Sequence, residues 1–173
     1  MGRYSKPEQL SSTRDVSSFD CGVDAETVWL RHHALQAEGA GTNRTYVVRL
    51  LEDDRVVGYY ALATGSVMKS AAPARLMKGA GQYDQPVIIL TRMGVDLSEK
   101  GQGLGRALLV DALRVVSSVA ERVGVRALLI HAEDENARDF YMRMADFEES
   151  PTDPLHLILL MKDLRRATAR RSK

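Results

Sequence analysis

Three glycines alternate in Gly101-Gln-Gly-Leu-Gly105, and they separate two segments of different period. Before them, Pro86-Val-Ile-Ile-Leu-Thr-Arg-Met-Gly-Val95 is an apolar, β-branched run that reads as a strand. After them, Leu104, Ala107, Leu108, Ala112, Val115, Val116, Val119 and Val123 recur at helical spacing, with Arg106, Arg114, Ser117, Ser118 and Glu121 opposite. Lacking Cβ atoms, such a turn brings successive N–H groups against an anion, and the helix N-terminus adds partial positive charge. This outlines a pyrophosphate cradle, although glycines also serve the start of a helix for geometry alone. The spacing lacks the last glycine of a dinucleotide fingerprint, and no Gly-Lys-Ser/Thr follows. Nucleoside triphosphate hydrolysis is disfavoured.

The rest of the chain alternates strands and helices. A polar stretch ends in the turn Phe19-Asp20-Cys21-Gly22, and Asp24 is placed to cap a helix carrying Val28, Trp29 and Leu35 towards Glu38. Thr45–Leu51 and Val56–Ala63 read as a hairpin across Glu52-Asp53-Asp54-Arg55. Residues 68–85 read as a long loop with one helical turn at Ala74–Lys78, and Gly94 marks a bulge or a close backbone approach. Val125–His131 is a short buried strand, Asp134 or a neighbour caps a helix carrying Phe140 and Tyr141, and His156–Met161 is the last strand. The expectation is one mixed α/β domain over residues 1–164 and a basic tail over 165–173. A single cysteine, Cys21, excludes a disulfide framework or a cysteine-cluster zinc site, and no metal is expected. The apolar stretch from Leu104 to Val119 is broken by Arg106, Asp111 and Arg114, and the N-terminus lacks a signal pattern. A cytoplasmic protein with no membrane contact is expected.

A net charge of +1 conceals an uneven distribution. Arg165, Arg166, Arg170, Arg171 and Lys173 have no acidic neighbour in the tail, leaving residues 1–164 with 19 basic and 23 acidic side chains. Between Lys69 and Arg92 the cations Lys69, Arg75, Lys78 and Arg92 face Asp84 alone, whereas Glu133–Glu149 holds seven acids and two bases. A polyanion would meet the first two segments and be repelled by the third; a solvated face is the plainer reading of each.

Thr91-Arg-Met-Gly-Val-Asp-Leu-Ser-Glu-Lys-Gly-Gln-Gly-Leu-Gly-Arg-Ala-Leu-Leu109 resembles the strand, pyrophosphate loop and helix of the GNAT acyl-CoA N-acyltransferase superfamily. Asn136-Ala-Arg-Asp-Phe-Tyr141 resembles its later helix. Phe19–Gly22, Trp29-Leu-Arg31, Val56–Ala63 and Pro154-Leu155 are similar to a narrower group, the acetyltransferase toxins of bacterial toxin–antitoxin pairs. The likeness spans Phe19 to Met161. Two positions depart from it: Lys100 stands where Arg or Gln is usual, and Asp146-Phe147 where Gly-Phe is usual. That glycine often takes a positive φ, which Asp tolerates better than most residues.

The resemblance implies a central, mostly antiparallel sheet flanked by helices and splayed between the strand at Met93–Val95 and that at Ala127–His131. It implies acetyl-CoA in the V, with backbone groups of Met93, Gly94 and Val95 on the pantetheine arm. Lys100, Gly101, Gln102, Gly103, Leu104, Gly105 and Arg106 would take the pyrophosphate. Asn136 either contacts CoA or caps its own helix. Tyr141 would protonate the departing thiolate, as a phenol of ordinary pKa about 10 can at neutral pH, or it is a core tyrosine beside Phe140.

No single residue announces itself as a base. His131 at a strand end is more simply structural, and His32, His33 and Glu133–Glu135 read as surface. The toxin likeness implies aminoacyl-tRNA as acceptor, met by Lys69, Arg75, Lys78 and Arg92, with Tyr83 packing its loop. It also implies a homodimer and a ribbon-helix-helix antitoxin. Alternative acceptors are a small amine or a protein N-terminus; a non-catalytic acyl-CoA- or nucleic-acid-binding module is the non-enzyme reading.

Overall fold

The structure, a computed structural model, describes residues 2–79 and 81–171. Seven strands form one sheet in the order β1-β2-β3-β4-β5-β7-β6: β1 Glu8–Gln9, β2 Arg44–Arg49, β3 Val56–Val67, β4 Gln85–Val95, β5 Ala127–His131, β6 Glu148–Ser150 and β7 Asp153–Leu160. The helices are α1 Asp24–His32, α2 Ala34–Ala40, α3 Ala74–Met77, α4 Leu104–Ala120, α5 Glu135–Met144 and α6 Met161–Arg171. The chain divides into two compact units, one through Ala63 together with Thr91–Asp111, the other Thr64–Leu90 with residues from Ala112 onward.

In the first unit, β2 and β3 are the expected hairpin, paired antiparallel from Arg44↔Leu62 to Arg49↔Val56 with an irregularity at Val48/Arg49. Asp54 in its turn adopts a left-handed φ of 65°, a conformation an Asx side chain tolerates. Leu10, Phe19, Cys21, Leu30, Ala34, Val47, Val56 and Tyr59 make the core here. Phe19 meets Tyr59 edge-on with ring centroids 5.4 Å apart. The Phe19–Gly22 turn is therefore an anchor: its Phe and Cys are buried, while Asp20 accepts from the Gly22 amide at 2.9 Å.

In the second unit, β4 and β5 run parallel from Val87↔Ala127 to Leu90↔Ile130, joined by the crossover through α4. β5 pairs antiparallel with β7, and β7 with β6. Its core gathers Val67, Ala72, Leu76, Val87, Ala127, Leu129 and Ile158. Leu76, wholly buried, anchors α3, the expected helical turn of the 68–85 segment.

Several expectations are corrected. The first helix is two: α1 ends at His32 and α2 begins at Ala34, with the His33 backbone non-helical between them. Val23, not Asp24, is the N-cap residue of α1. Two short strands, β1 and β6, were not foreseen. Arg165–Arg171 lie within α6, whose Met161, Asp163, Leu164 and Ala167 are buried; Lys173 lies outside the described residues. Asp146 has no positive φ, so the turn after α5 needs no left-handed residue.

Candidate active site

In the first unit, the end of β4 carries Arg92, Met93, Gly94 and Val95, all half-buried. A Cβ on Gly94 would stand 3.2 Å from Tyr59 Cε1 and 3.3 Å from Cys21 Cβ and Sγ, so a close approach rather than a loop requirement places the glycine. β4 then closes on β3 through the Asp96 amide, which donates to the Val57 carbonyl at 2.8 Å. The paired register of β4 with β5 runs to Leu90↔Ile130, while β4 itself continues to Val95.

A 3₁₀ turn at Leu97–Glu99 leads into the glycine loop. Gly101 and Gly103 take φ of 80° and 81°, values that only glycine adopts without strain, and no atom lies within 4 Å of where their Cβ atoms would be. Lys100, Gln102 and Arg106 are exposed beside them. The side chain of Leu104 is buried, so this residue offers a ligand only its backbone. With no acidic residue in the first turn of α4, its first N–H groups, which have no acceptor within the helix, present an undiminished positive end. An open, glycine-shaped turn of this kind, with Lys100 and Arg106 adjoining, fits a phosphate-bearing ligand.

Arg92 is not free. Its Nη1 donates to Glu26 Oε1 at 2.9 Å, and its guanidinium lies 5.4 Å from the Trp29 ring centroid. Glu26 is 7% exposed, and the Tyr59 hydroxyl donates to its carbonyl at 2.7 Å.

In the second unit, α5 carries Asn136 and Tyr141. Asp134 is the cap, accepting from the Ala137 amide at 2.8 Å, so Asn136, exposed on the first turn, is released from capping. Tyr141 is 8% exposed, with the rings of Phe140 and Phe147 5.3 and 6.2 Å away. His131 ends β5 opposite His156, the two rings stacked 4.0 Å apart at 18°. Burial first, then His156, lowers the His131 pKa, against an opposing pull from Asp153. Folding therefore favours the neutral imidazole.

The four cations expected to meet RNA differ. Lys69 and Lys78 are exposed. Arg75 Nη1 instead donates to Glu148 at 2.6 Å and to the buried Asp163 at 3.1 Å, bonds that raise its pKa further. Its charge is answered inside the unit. Tyr83, expected to pack its loop, is 81% exposed.

Sequence reasoning missed the half-buried Asp111 and the buried acids. Tyr60, fully buried on β3, donates to Asp111 of α4 at 2.5 Å. The signal was legible, because a carboxylate on the apolar stripe of a helix requires a buried donor. Asp96, Glu99 and Glu26 carried no such pattern. Among the described residues no group of three or more His, Cys, Asp or Glu is placed to hold a metal ion, and no helix is long and apolar enough to cross a membrane.

The chain is 46% identical over 165 residues to the tRNA-acetylating toxin of Mycobacterium tuberculosis, covering 95% of this chain and 97% of the relative. It is 25% identical to a probable toxin TacT of Sinorhizobium fredii over 91% of this chain and 92% of that one. Among solved structures, a mutant of KacT superposes with a TM-score of 0.86 at 25% identity, over 95% of this chain and 98% of KacT. AtaT complexed with acetyl-methionyl-tRNAfMet gives 0.84 at 26%, over 94% and 98%. The acetyltransferase (GNAT) family profile matches residues 12–147, and the chain belongs to that family.

Proposed function

We propose that this chain is an acetyl-CoA-dependent N-acetyltransferase that acetylates the α-amine of aminoacyl-tRNA and so withdraws it from translation. The observation that carries the reading is the 46% identity, along nearly the whole of both chains, to a tRNA-acetylating toxin. The AtaT structures with acetyl-methionyl-tRNAfMet and, for AtaTR, with AcCoA support the same acceptor and donor.

Acetyl-CoA supplies an activated acetyl thioester. Backbone groups of Met93, Gly94 and Val95 would hold its pantetheine arm and Lys100–Arg106 its pyrophosphate, and Asn136 is a separate candidate contact to CoA. Tyr141 gives its hydroxyl proton to the thiolate as the C–S bond breaks and the new N–C bond forms, and solvent restores that proton. The amine loses its own proton to water. An α-amine next to an ester is less basic than a lysine amine, so a sufficient fraction is neutral near pH 7 without a protein base. His131 is then dispensable as a base.

RNA phosphate is met by Lys69 and Lys78 and by the outer face of α6, where Lys162 and Arg165 are exposed at i and i+3, while the neighbouring Arg166 is paired with the buried Asp163 at 3.8 Å. An antitoxin of ribbon-helix-helix type binds the toxin through its C-terminal segment, by analogy with AtaT bound to the C-terminus of AtaR. The active assembly is a homodimer.

Incubation with labelled acetyl-CoA and a total charged-tRNA pool tests the reading. Label is expected on the aminoacyl group of one or a few tRNAs. Label on small amines or protein N-termini alone, with none on tRNA, overturns it.

A further inference from the structure

The glycine loop has no packing of its own: the space around Gly101 and Gly103 is open, and Lys100 and Gln102 are exposed. Its shape is fixed where it joins the fold. At the helix side, Leu104 is buried with its Cδ2 3.2 Å from where a Gly58 Cβ would stand. At the strand side the join is a buried charge cluster.

Glu99, only 2% exposed, is the residue before the loop. Its Oε1 accepts from Arg3 Nη2 at 3.0 Å, its Oε2 accepts at very short range from the Tyr4 hydroxyl, and Arg55 Nη2 lies 3.9 Å away. Arg55 also donates to Ser98 Oγ at 2.9 Å and stands 3.6 Å from Asp96 Oδ1. Asp96 accepts from the Ser98 amide at 3.0 Å, the Ser98 hydroxyl at 2.7 Å and the Asp20 amide at 3.0 Å. A carboxylate as deep as Glu99 persists only where cations and donors surround it. Two of its partners come from the start of the chain, which is laid along the hairpin by the Tyr4↔Leu50 bridge and by the Leu51 amide donating to the Arg3 carbonyl at 2.9 Å.

We propose that Arg3, Tyr4, Arg55 and Glu99 form a clamp that positions the pyrophosphate loop, so that the first residues of the chain belong functionally to the acetyl-CoA site. This rests on reading Lys100–Arg106 as the pyrophosphate cradle. The side chains of the clamp reach no ligand in this scheme. They hold the Glu99 backbone, and any rotation there swings the following amides away from the phosphates, a displacement that small misalignments make costly.

Tyr4→Phe removes one hydroxyl and keeps the ring; Glu99→Gln removes the charge. Both full-length variants are compared with wild type for amide hydrogen exchange at Gly101–Gly105. Kinetics are then measured with acetyl-CoA and with S-acetylpantetheine, a donor lacking the pyrophosphate. Faster exchange at these amides is expected, with KM for acetyl-CoA raised about tenfold, the loss of one charge-assisted hydrogen bond. At saturation kcat is expected to stay within about twofold, and the S-acetylpantetheine rate to be unchanged. Arg55→Lys, which keeps a cation against Asp96 and Glu99, is expected to stay nearer wild type than Arg55→Met. Unchanged exchange in both variants overturns the clamp, as does an equal loss with both donors. If wild type shows the same KM for both donors, the cradle reading falls, and the exchange result still decides the clamp. Should Glu99→Gln fail to fold, Tyr4→Phe alone carries the test.

Discussion

Gly103→Ala isolates the backbone of the loop from every side chain around it. Gly103 sits at φ 81° with nothing within 4 Å of its would-be Cβ, so the substitution causes no clash. An alanine held in the left-handed region costs about 1–2 kcal/mol. For a chain of this length that lowers Tm by about 2–8 °C at most. An open loop can also escape the strain by relaxing to negative φ, in which case stability barely changes and the amides turn away from the phosphates. In that second case acetyl-CoA binds less well. One charge-assisted hydrogen bond is worth about 1.5–3 kcal/mol, which corresponds to about a 10- to 100-fold rise in KM for acetyl-CoA. Because Tyr141 and the acceptor side are untouched, kcat at saturating donor should remain within about threefold. Calorimetric titration with CoA and initial rates on charged tRNA measure the two quantities. A Gly103→Ala protein with both wild-type Tm and wild-type affinity for CoA would refute the argument that these amides cradle a phosphate.

Three further outcomes are expected. Tyr141→Phe should lower kcat by about 10²- to 10⁴-fold, the span of general acid catalysis, while acetyl-CoA affinity holds and the ring contacts with Phe140 and Phe147 remain; unchanged turnover would remove Tyr141 from the proton transfer. The lowered pKa of His131 makes its neutral form the one favoured by folding, so this contribution is complete above the ordinary value of about 6.5 and is lost as pH falls below it. His131→Gln should flatten the stability profile on the acid side of pH 6.5, and melting curves from pH 5 to 8 that superpose for the two proteins would contradict it. Arg75→Met should lower Tm without changing the salt dependence of tRNA binding, whereas Lys78→Met should reduce the slope of log K against log salt by about 0.7–0.9 without changing Tm; the reverse pattern would return Arg75 to the RNA surface.

The elements whose period is strong were legible in the sequence. The helix that begins at Leu104 and the hairpin of β2 and β3 needed only local pattern, although the helix ends at Ala120, short of the expected Val123. The break between α1 and α2 was not legible, because His32 and His33 are neither glycine nor proline and nothing local marks the kink. α6 was hidden by its own charge: Met161, Leu164 and Ala167 make a narrow apolar stripe, and the buried Asp163 looks in sequence like one more solvated acid. The glycine loop was readable because its chemistry lies in consecutive residues. The ion pairs were not, since Arg92 reaches Glu26 across 66 residues and Arg75 reaches Asp163 across 88.

That last difference bears on how charge should be read in this family member. A cation contributes to binding a polyanion only if its partner in the free protein is water, because an arginine already fixed on a buried carboxylate must leave that carboxylate uncompensated in order to move. Arg75 and Arg92 are of the second kind, so the segment from Lys69 to Arg92 is weaker as an RNA surface than its composition implies. Their carboxylate partners, Asp163 and Glu26, are the compensating part of the acidic excess in residues 1–164. Lys69 and Lys78 remain, and α6 supplies Lys162 and, from the expected basic tail, Arg165. Held on a helix, these cations keep a fixed spacing and lose less freedom on meeting a phosphate ladder than a flexible tail would. On the proposed function, the surface that would meet tRNA therefore shifts from the loop that is basic in sequence to the helix that stays basic after folding.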